Sequence, residues 1–273
     1  MGKTIFAGLD LSKNHFGLTL LNNFDKDNQL ENLYSYVSIS NMTKKQVKET
    51  NDAPYCVSTT AMGGMYGPDK TANYAIYDIR INPRLNRIEM DAVKSIAINK
   101  LILYIFRLWT DLQSDDELFV SLEDYIVMNN GIVSLVHTTE DFKYRFLSSD
   151  YDYMYPKNRT LFLCCNSTWK KLLGKEASAK PTGKDRYENI KNYIKNNEPE
   201  CYDILTRALK DKSEDVRKDI IDSWALAKAG MKRDLPLFRN YSKRLFKYNE
   251  NERTITNDLQ GFYRDLSEEV SLW

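Results

Sequence analysis

The chain has 273 residues and a mass of 31.9 kDa, enough for one large core domain with insertions. Its hydrophobic share of 42% and aromatic share of 12% exclude a disordered chain, and four cysteines are too few for a disulfide scaffold of this length. Two histidines exclude any metal site built on three His ligands, so a metal here would sit on oxygen, as Mg²⁺ and Mn²⁺ do; a net charge of +1 neither demands nor forbids a nucleic-acid partner.

The first apolar run, residues 4–11, carries Gly8 and ends at Asp10-Leu11. Ser12-Lys13-Asn14 reads as a turn into a second run at residues 15–21, which makes a hairpin with antiparallel pairing. Asp10 and Lys13 cut the first run off too early for a signal peptide, so an intracellular chain with reduced thiols is expected, in a host-cell cytoplasm if the protein is viral. Residues 33–39 predict a third strand. Residues 40–82 read as an insertion on the core fold, with a loop at Met62-Gly63-Gly64-Met65-Tyr66-Gly67-Pro68 and a further strand at 74–81, placed at the sheet edge or on a dimer surface.

Helical spacing of Ile88, Val93, Ile96, Ala97, Leu101, Ile105, Leu108 and Leu112 predicts a long helix over 83–112 with Pro83 near its start. No segment is long and apolar enough to cross a bilayer; 101–109 is too short and holds Arg107. A buried strand at 118–122, a helix at 132–146, a strand at 160–165 and helices at 184–194 and 214–229 complete the core. Adjacent Cys164 and Cys165 lie in an apolar run and are expected to pack as small hydrophobes. The tail from Met231 is basic and aromatic. The order predicts an α/β fold, antiparallel at first and parallel where helices join the strands.

Four carboxylates stand out by position. Asp10 ends the first strand, Glu123 follows the strand at 118–122, and Asp219 and Asp222 lie three apart on one face of a helix. A carboxylate at the end of a buried strand is costly unless something compensates its charge. Several from separate elements would repel one another, and divalent cations remove that repulsion. Two such ions about 4 Å apart can activate a water and stabilise the leaving oxygen of a phosphodiester.

These residues, with their flanks, resemble the RuvC-like Holliday junction resolvases of the RNase H-like superfamily. Gly8-Leu9-Asp10-Leu11-Ser12 is similar to the family's first-strand motif. Ser121-Leu122-Glu123-Asp124 supplies the fourth-strand Glu, and Asn130-Gly131 suits the next element. Residues 167–174 with Gly183-Lys184-Asp185 resemble its basic segment, and 219–227 resemble its last core helix. Ser12 and Ser223 stand where members have Gly and Ala.

The resemblance implies a five-stranded mixed sheet, three strands antiparallel and the later ones parallel, flanked by helices in a nuclease domain at 1–230, with a C-terminal extension at 231–273. It implies two Mg²⁺ or Mn²⁺ ions per site, with Asp10 bridging both, Glu123 and Asp222 ligating one each and Asp219 completing the set. Hydrolysis would leave 5′-phosphate and 3′-hydroxyl ends, with Lys184 at the scissile phosphate. The implied substrate is branched DNA, above all a four-way junction, cut by a homodimer without an organic cofactor. The insertion and the Asn/Lys/Tyr-rich composition suit a phage or viral member.

Local charge supports DNA. Lys157, Arg159, Lys170, Lys171, Lys175, Lys180, Lys184, Arg186, Lys191 and Lys195 face only Glu176, Asp185 and Glu188 in the same stretch. In the tail, Phe238, Tyr241, Phe246 and Tyr248 interleave with basic residues and could stack on splayed bases or line a solvated amphipathic helix. Asp115, Asp116, Glu117 and Asp124 read as surface charge, His15 and His137 as structural or surface residues, and Trp109, Trp169 and Trp224 as core, with Trp169 beside Lys170 also placed to meet DNA. Competing readings are an RNase H-like nuclease acting on other branched DNA or on RNA–DNA hybrid, and a non-catalytic scaffold for branched DNA. An actin-like sugar kinase is disfavoured by length and by the lack of a Gly-rich phosphate motif.

Overall fold

The computed structural model describes residues 3–12, 14–22, 32–64, 72–110, 116–123, 133–148, 155–178, 187–249, 254–259 and 262–265. The first apolar runs form a meander of β1 (Thr4–Leu11), β2 (His15–Asn22) and β3 (Asn32–Asn41), each antiparallel to the one before. β1 and β2 are apolar almost throughout because both faces of the sheet are covered. A short helix α1 (Lys44–Glu49), capped reciprocally by Thr43 and Gln46, leads to β4 (Tyr55–Gly64) and β5 (Ala72–Ile81). β5 lies parallel to β3 and antiparallel to β4, which bulges between Thr59 and Ala61.

The long helix α2 (Arg87–Thr110) starts four residues after Pro83. Asn82 holds the intervening turn, accepting from the amides of Arg84 and Leu85, and Asn86 exchanges bonds with Glu89 as the true cap. Then follow β6 (Glu117–Glu123), α3 (Val133–Leu147), β7 (Asn158–Cys164), α4 (Asn166–Leu173), α5 (Lys175–Ser178), α6 (Glu188–Asn197), and α7 (Pro199–Asp203), which runs into a π-helical turn, Ile204–Ala208. The last core helix is α8 (Glu214–Met231), and a 3₁₀ segment, Pro236–Arg244, leads to β8 (Leu245–Asn249), β9 (Thr254–Leu259) and β10 (Phe262–Asp265).

The protein is α/β, with helices on both faces of one mixed sheet. The sheet has ten strands, in the order β10-β9-β8-β7-β6-β1-β2-β3-β5-β4, which corrects the expectation of five. Residues 55–81 add two strands at one edge, and the tail adds three, antiparallel, at the other. The tail is therefore not the solvated helix its composition allowed. At the centre, β1, β6 and β7 are mutually parallel. One face packs on α2 and α3 through Ile5, Ala7, Leu9, Ile102, Phe106 and Phe142. The other packs on α8 and α4 through Phe6, Phe119, Trp169, Ile220 and Trp224. Trp169 and Trp224 are core, as expected, so Trp169 is not a DNA contact; the side chain of Trp109 lies outside the described residues.

Three charges taken for surface or DNA-facing ones are not. Asp116 is buried and bonds the amide and ammonium of Lys3. Glu117 accepts from Thr4, Thr160 and Arg233, and so ties the starts of three strands to the chain just past α8. Arg159 is fully buried, donates to the carbonyls of Pro156 and Ser148, and stacks 3.7 Å from the ring centre of Tyr248. It is not a phosphate contact. Tyr248 and Phe238 are buried too, so neither stacks on bases. Asp115 and Asp124 lie outside the described residues.

Candidate active site

β1, β6 and β7 end at the same edge of the sheet, because they run parallel. Asp10 and Glu123 follow the paired residues Leu9 and Leu122 and so stand side by side at that edge. Their shared face is set by α8. A Cβ at Gly8 would lie 1.8 Å from the carbonyl oxygen of Ser223 and 2.5 Å from the amide nitrogen of Ala227. Gly8 thus lets the helix backbone rest on β1, and Asp10, two residues on, points to the same side. On β6, Ser121 and Phe119 would meet a Cβ at Gly230 of α8, which puts Glu123 on this face as well.

The start of α8 lies over the same edge. A Cβ at Gly17, the partner of Asp10 across the hairpin, would come 2.2 Å from the carbonyl oxygen of Asp219. Ser223 bonds Thr19 at 2.8 Å inside this contact, which explains a hydroxyl at a position where Ala would leave Thr19 unpaired. Asp10 and Asp219 are both 8% exposed, and Asp222 has one oxygen, Oδ1, that is buried without a hydrogen-bond partner among the described residues. Its other oxygen accepts from the phenol of Tyr187 at 2.6 Å. Burial, then the charge of Asp10, pushes the Asp222 carboxyl up to about 7, against the Tyr187 bond and the charge of Lys170. Burial also raises Asp219, against its bond to His15.

The fold therefore brings Asp10, Asp219 and Asp222 into electrostatic contact, sets Glu123 beside Asp10 in the sheet, and places Lys170 of α4 near Asp222. Lys171 and Lys175 are exposed on α4 and α5. Lys180, Lys184, Arg186, Asn130, Gly131 and the side chain of His137 lie outside the described residues. Among the described residues, no three His, Cys, Asp or Glu side chains close round one ion. What fits a hard cation is the orphaned Asp222 Oδ1 in a cluster of carboxylates that repel one another.

Three site residues escaped sequence reasoning. His15 is the structural residue that one of its two readings allowed, half-buried and at the carboxylates: its Nδ1 bonds Asp219 Oδ2, and its ring stacks on Tyr36, centroids 6.2 Å apart and planes at 23°. The bond to Asp219 raises its pKa. Tyr187 sits on Asp222, and burial raises its phenol. Cys165 begins α4 where β7 ends. Its thiol is not an inert hydrophobe: burial raises it, but bonds from the hydroxyls of Ser167 at 3.2 Å and Thr168 at 3.0 Å, with Arg244 nearby, bring it down to about 7. Its neighbour Cys164 is buried, as expected, and burial pushes that thiol up. Only Tyr187 had a signal in the sequence, lying three residues after Lys184.

No helix among the described residues is long and apolar enough to cross a membrane. Comparison with known protein families, curated proteins and solved structures finds no match for this chain.

Proposed function

We propose that the protein is an RNase H-like, metal-dependent endonuclease of the RuvC-like kind, which cuts branched DNA, most of all four-way junctions. The observation that carries this is the convergence of Asp10, Asp219 and Asp222 at the sheet edge where Glu123 also ends. The order of the central strands, β3-β2-β1-β6-β7, with the first three antiparallel and the rest parallel to β1, supports the RNase H-like reading; the outer strands are then additions to it.

Asp10, Glu123, Asp219 and Asp222 would hold the Mg²⁺ or Mn²⁺ ions, with Asp10 shared. Bound there, two ions supply an activated water and stabilise the leaving oxygen. The chain's own part is to hold the acids. Burial keeps solvent from screening their repulsion, so protons compete with cations for the pocket, and rising pH favours the cations. Lys170, Lys171 and Lys175 form a basic flank on α4 and α5 for the phosphate backbone. Lys180, Lys184 and Arg186 extend it on the resemblance alone, and symmetric cutting of a junction implies a homodimer.

The test is cleavage of a synthetic four-way junction with Mg²⁺, beside linear duplex, fork and RNA–DNA hybrid. Wild type should nick the junction in preference to duplex, and Asp10→Asn or Glu123→Gln should lose at least 100-fold, the scale at which electrostatic groups in active sites act. Cleavage by Asp10→Asn at the wild-type rate refutes the assignment. A second reading, a non-catalytic scaffold for branched DNA, has one observation in its favour: Asp219 and Asp222 are already bonded by His15 and Tyr187. Tight junction binding without cleavage in Mg²⁺ or Mn²⁺ would select it.

A further inference from the structure

The backbone of His15 is held from both sides, and its side chain borders the carboxylates. The turn before it is closed by Ser12, whose amide and hydroxyl both bond the His15 carbonyl, at 3.0 and 2.6 Å. The neighbouring strand holds it from the other side: the Ile39 amide bonds the Asn14 carbonyl at 2.7 Å, and His15 pairs with Ser38. Its ring rests on Tyr36. Two residues on, Gly17 lets the Asp219 backbone come against β2, so the imidazole and the carboxylate meet without either leaving its own element. The bond joins residues 204 positions apart.

Such an arrangement does nothing for a solvated carboxylate, which water serves as well. It matters for a carboxylate that must present one particular oxygen. We propose, resting on the metal-dependent reading above, that His15 is a positioning residue for the cation site: it holds Asp219 through Oδ2, so that only the other oxygen is left to take a cation beside Asp10 and Asp222. The imidazole acts through Asp219 and touches neither ion nor substrate. Partners that orient a ligating carboxylate typically change metal affinity 10- to 100-fold when lost.

The experiment is Mn²⁺ binding to the full chain, without DNA, followed by electron paramagnetic resonance, for wild type and for His15→Ala, His15→Asn, His15→Gln and Asp10→Asn, with a thermal melt of each. Asn carries its amide nitrogen where Nδ1 stands, and Gln carries it one bond farther, while filling the space as well. The expected result is a loss in Mn²⁺ affinity of about 10-fold for His15→Ala and His15→Gln, with His15→Asn within about threefold of wild type. A merely structural role predicts the reverse order for Asn and Gln. Should His15→Ala fail to fold, the Asn–Gln comparison decides alone. Equal affinity of wild type, His15→Gln and His15→Asn overturns the proposal and leaves the nuclease reading standing, provided Asp10→Asn is weaker. If wild type binds no Mn²⁺, or Asp10→Asn binds as tightly, both fall.

Discussion

Gly8→Ala is the most direct probe of how the site is assembled, and it needs no assumption about function. The added Cβ would land 1.8 Å from the Ser223 carbonyl oxygen and 2.5 Å from the Ala227 amide nitrogen. Those two atoms belong to residues i and i+4 of α8, the acceptor and donor of one rung of the helix, so the methyl would press on the backbone ladder rather than on a side chain that can turn away. Contacts between a methyl carbon and backbone oxygen need about 3 Å or more, so α8 must back off by roughly 1 Å along a face that buries Ile220, Trp224 and Ala227. Overpacking of this kind costs about 3 kcal/mol. With a urea slope of about 3 kcal/mol per molar, the unfolding midpoint should fall by about 1 M. Gly174→Ala isolates backbone strain: nothing lies within 4 Å of its Cβ, but φ +102° with ψ −176° is a conformation that only glycine adopts readily and should cost about 2 kcal/mol. Urea titration followed by far-ultraviolet circular dichroism reads both. A Gly8→Ala midpoint within about 0.2 M of wild type would mean that α8 is not seated on β1 in this way, and the convergence of Asp10 with Asp222 would go with it.

Three further outcomes are expected. In chelator, stability should fall as pH rises from about 4 to about 7, because Asp222 is protonated more readily folded than unfolded and so binds more protons in the native state across that window; Asp222→Asn should flatten the slope, and a slope unchanged in that variant would refute the burial argument. Tyr187→Phe removes the phenol proton from Asp222 Oδ2, which should destabilise the ionised form by about 2 kcal/mol and move the Asp222 titration upward, as followed by carboxyl NMR. Cys165 should react with iodoacetamide half-maximally near pH 7 and well ahead of buried Cys164 and Cys201; Ser167→Ala should shift that midpoint up, and equal rates for all three thiols would contradict the described hydrogen bonds.

The central architecture was legible because its signals are local. Apolar runs at 4–11, 15–21 and 118–122 are short and bounded by turn residues, which reads as buried strands, and the periodic residues of α2 and α8 repeat every turn. Of the added strands, β5 was legible at 74–81, but β4 and the strands of the tail hid for a physical reason. Cys56, Ser58, Thr59 and Thr60 on β4 serve an edge, where a polar face costs nothing, so no apolar run marks them. Leu245, Phe246, Lys247 and Tyr248 on β8 mix basic and aromatic residues as an amphipathic helix would. The carboxylates were legible as strand-end and helix-face acids. His15 was not, since its partner is Asp219, and Arg159, Asp116 and Glu117 were misread because the groups that compensate their charge come from other elements.

The seat that Gly8 and Gly17 provide for α8 also fixes when the fold can be finished. The hairpin that opens the chain waits for residues 214–231 before its second face is covered, and for residues 117–123 before β1 gains its parallel neighbour. Until then Phe6, Leu21 and Phe119 have no cover from Trp224 and Ile220. Such long-range closure makes assembly slow and leaves a nascent chain sticky. A chain halted before Glu214 should aggregate rather than fold, and helper proteins that shield unfinished sheets should bind it during synthesis.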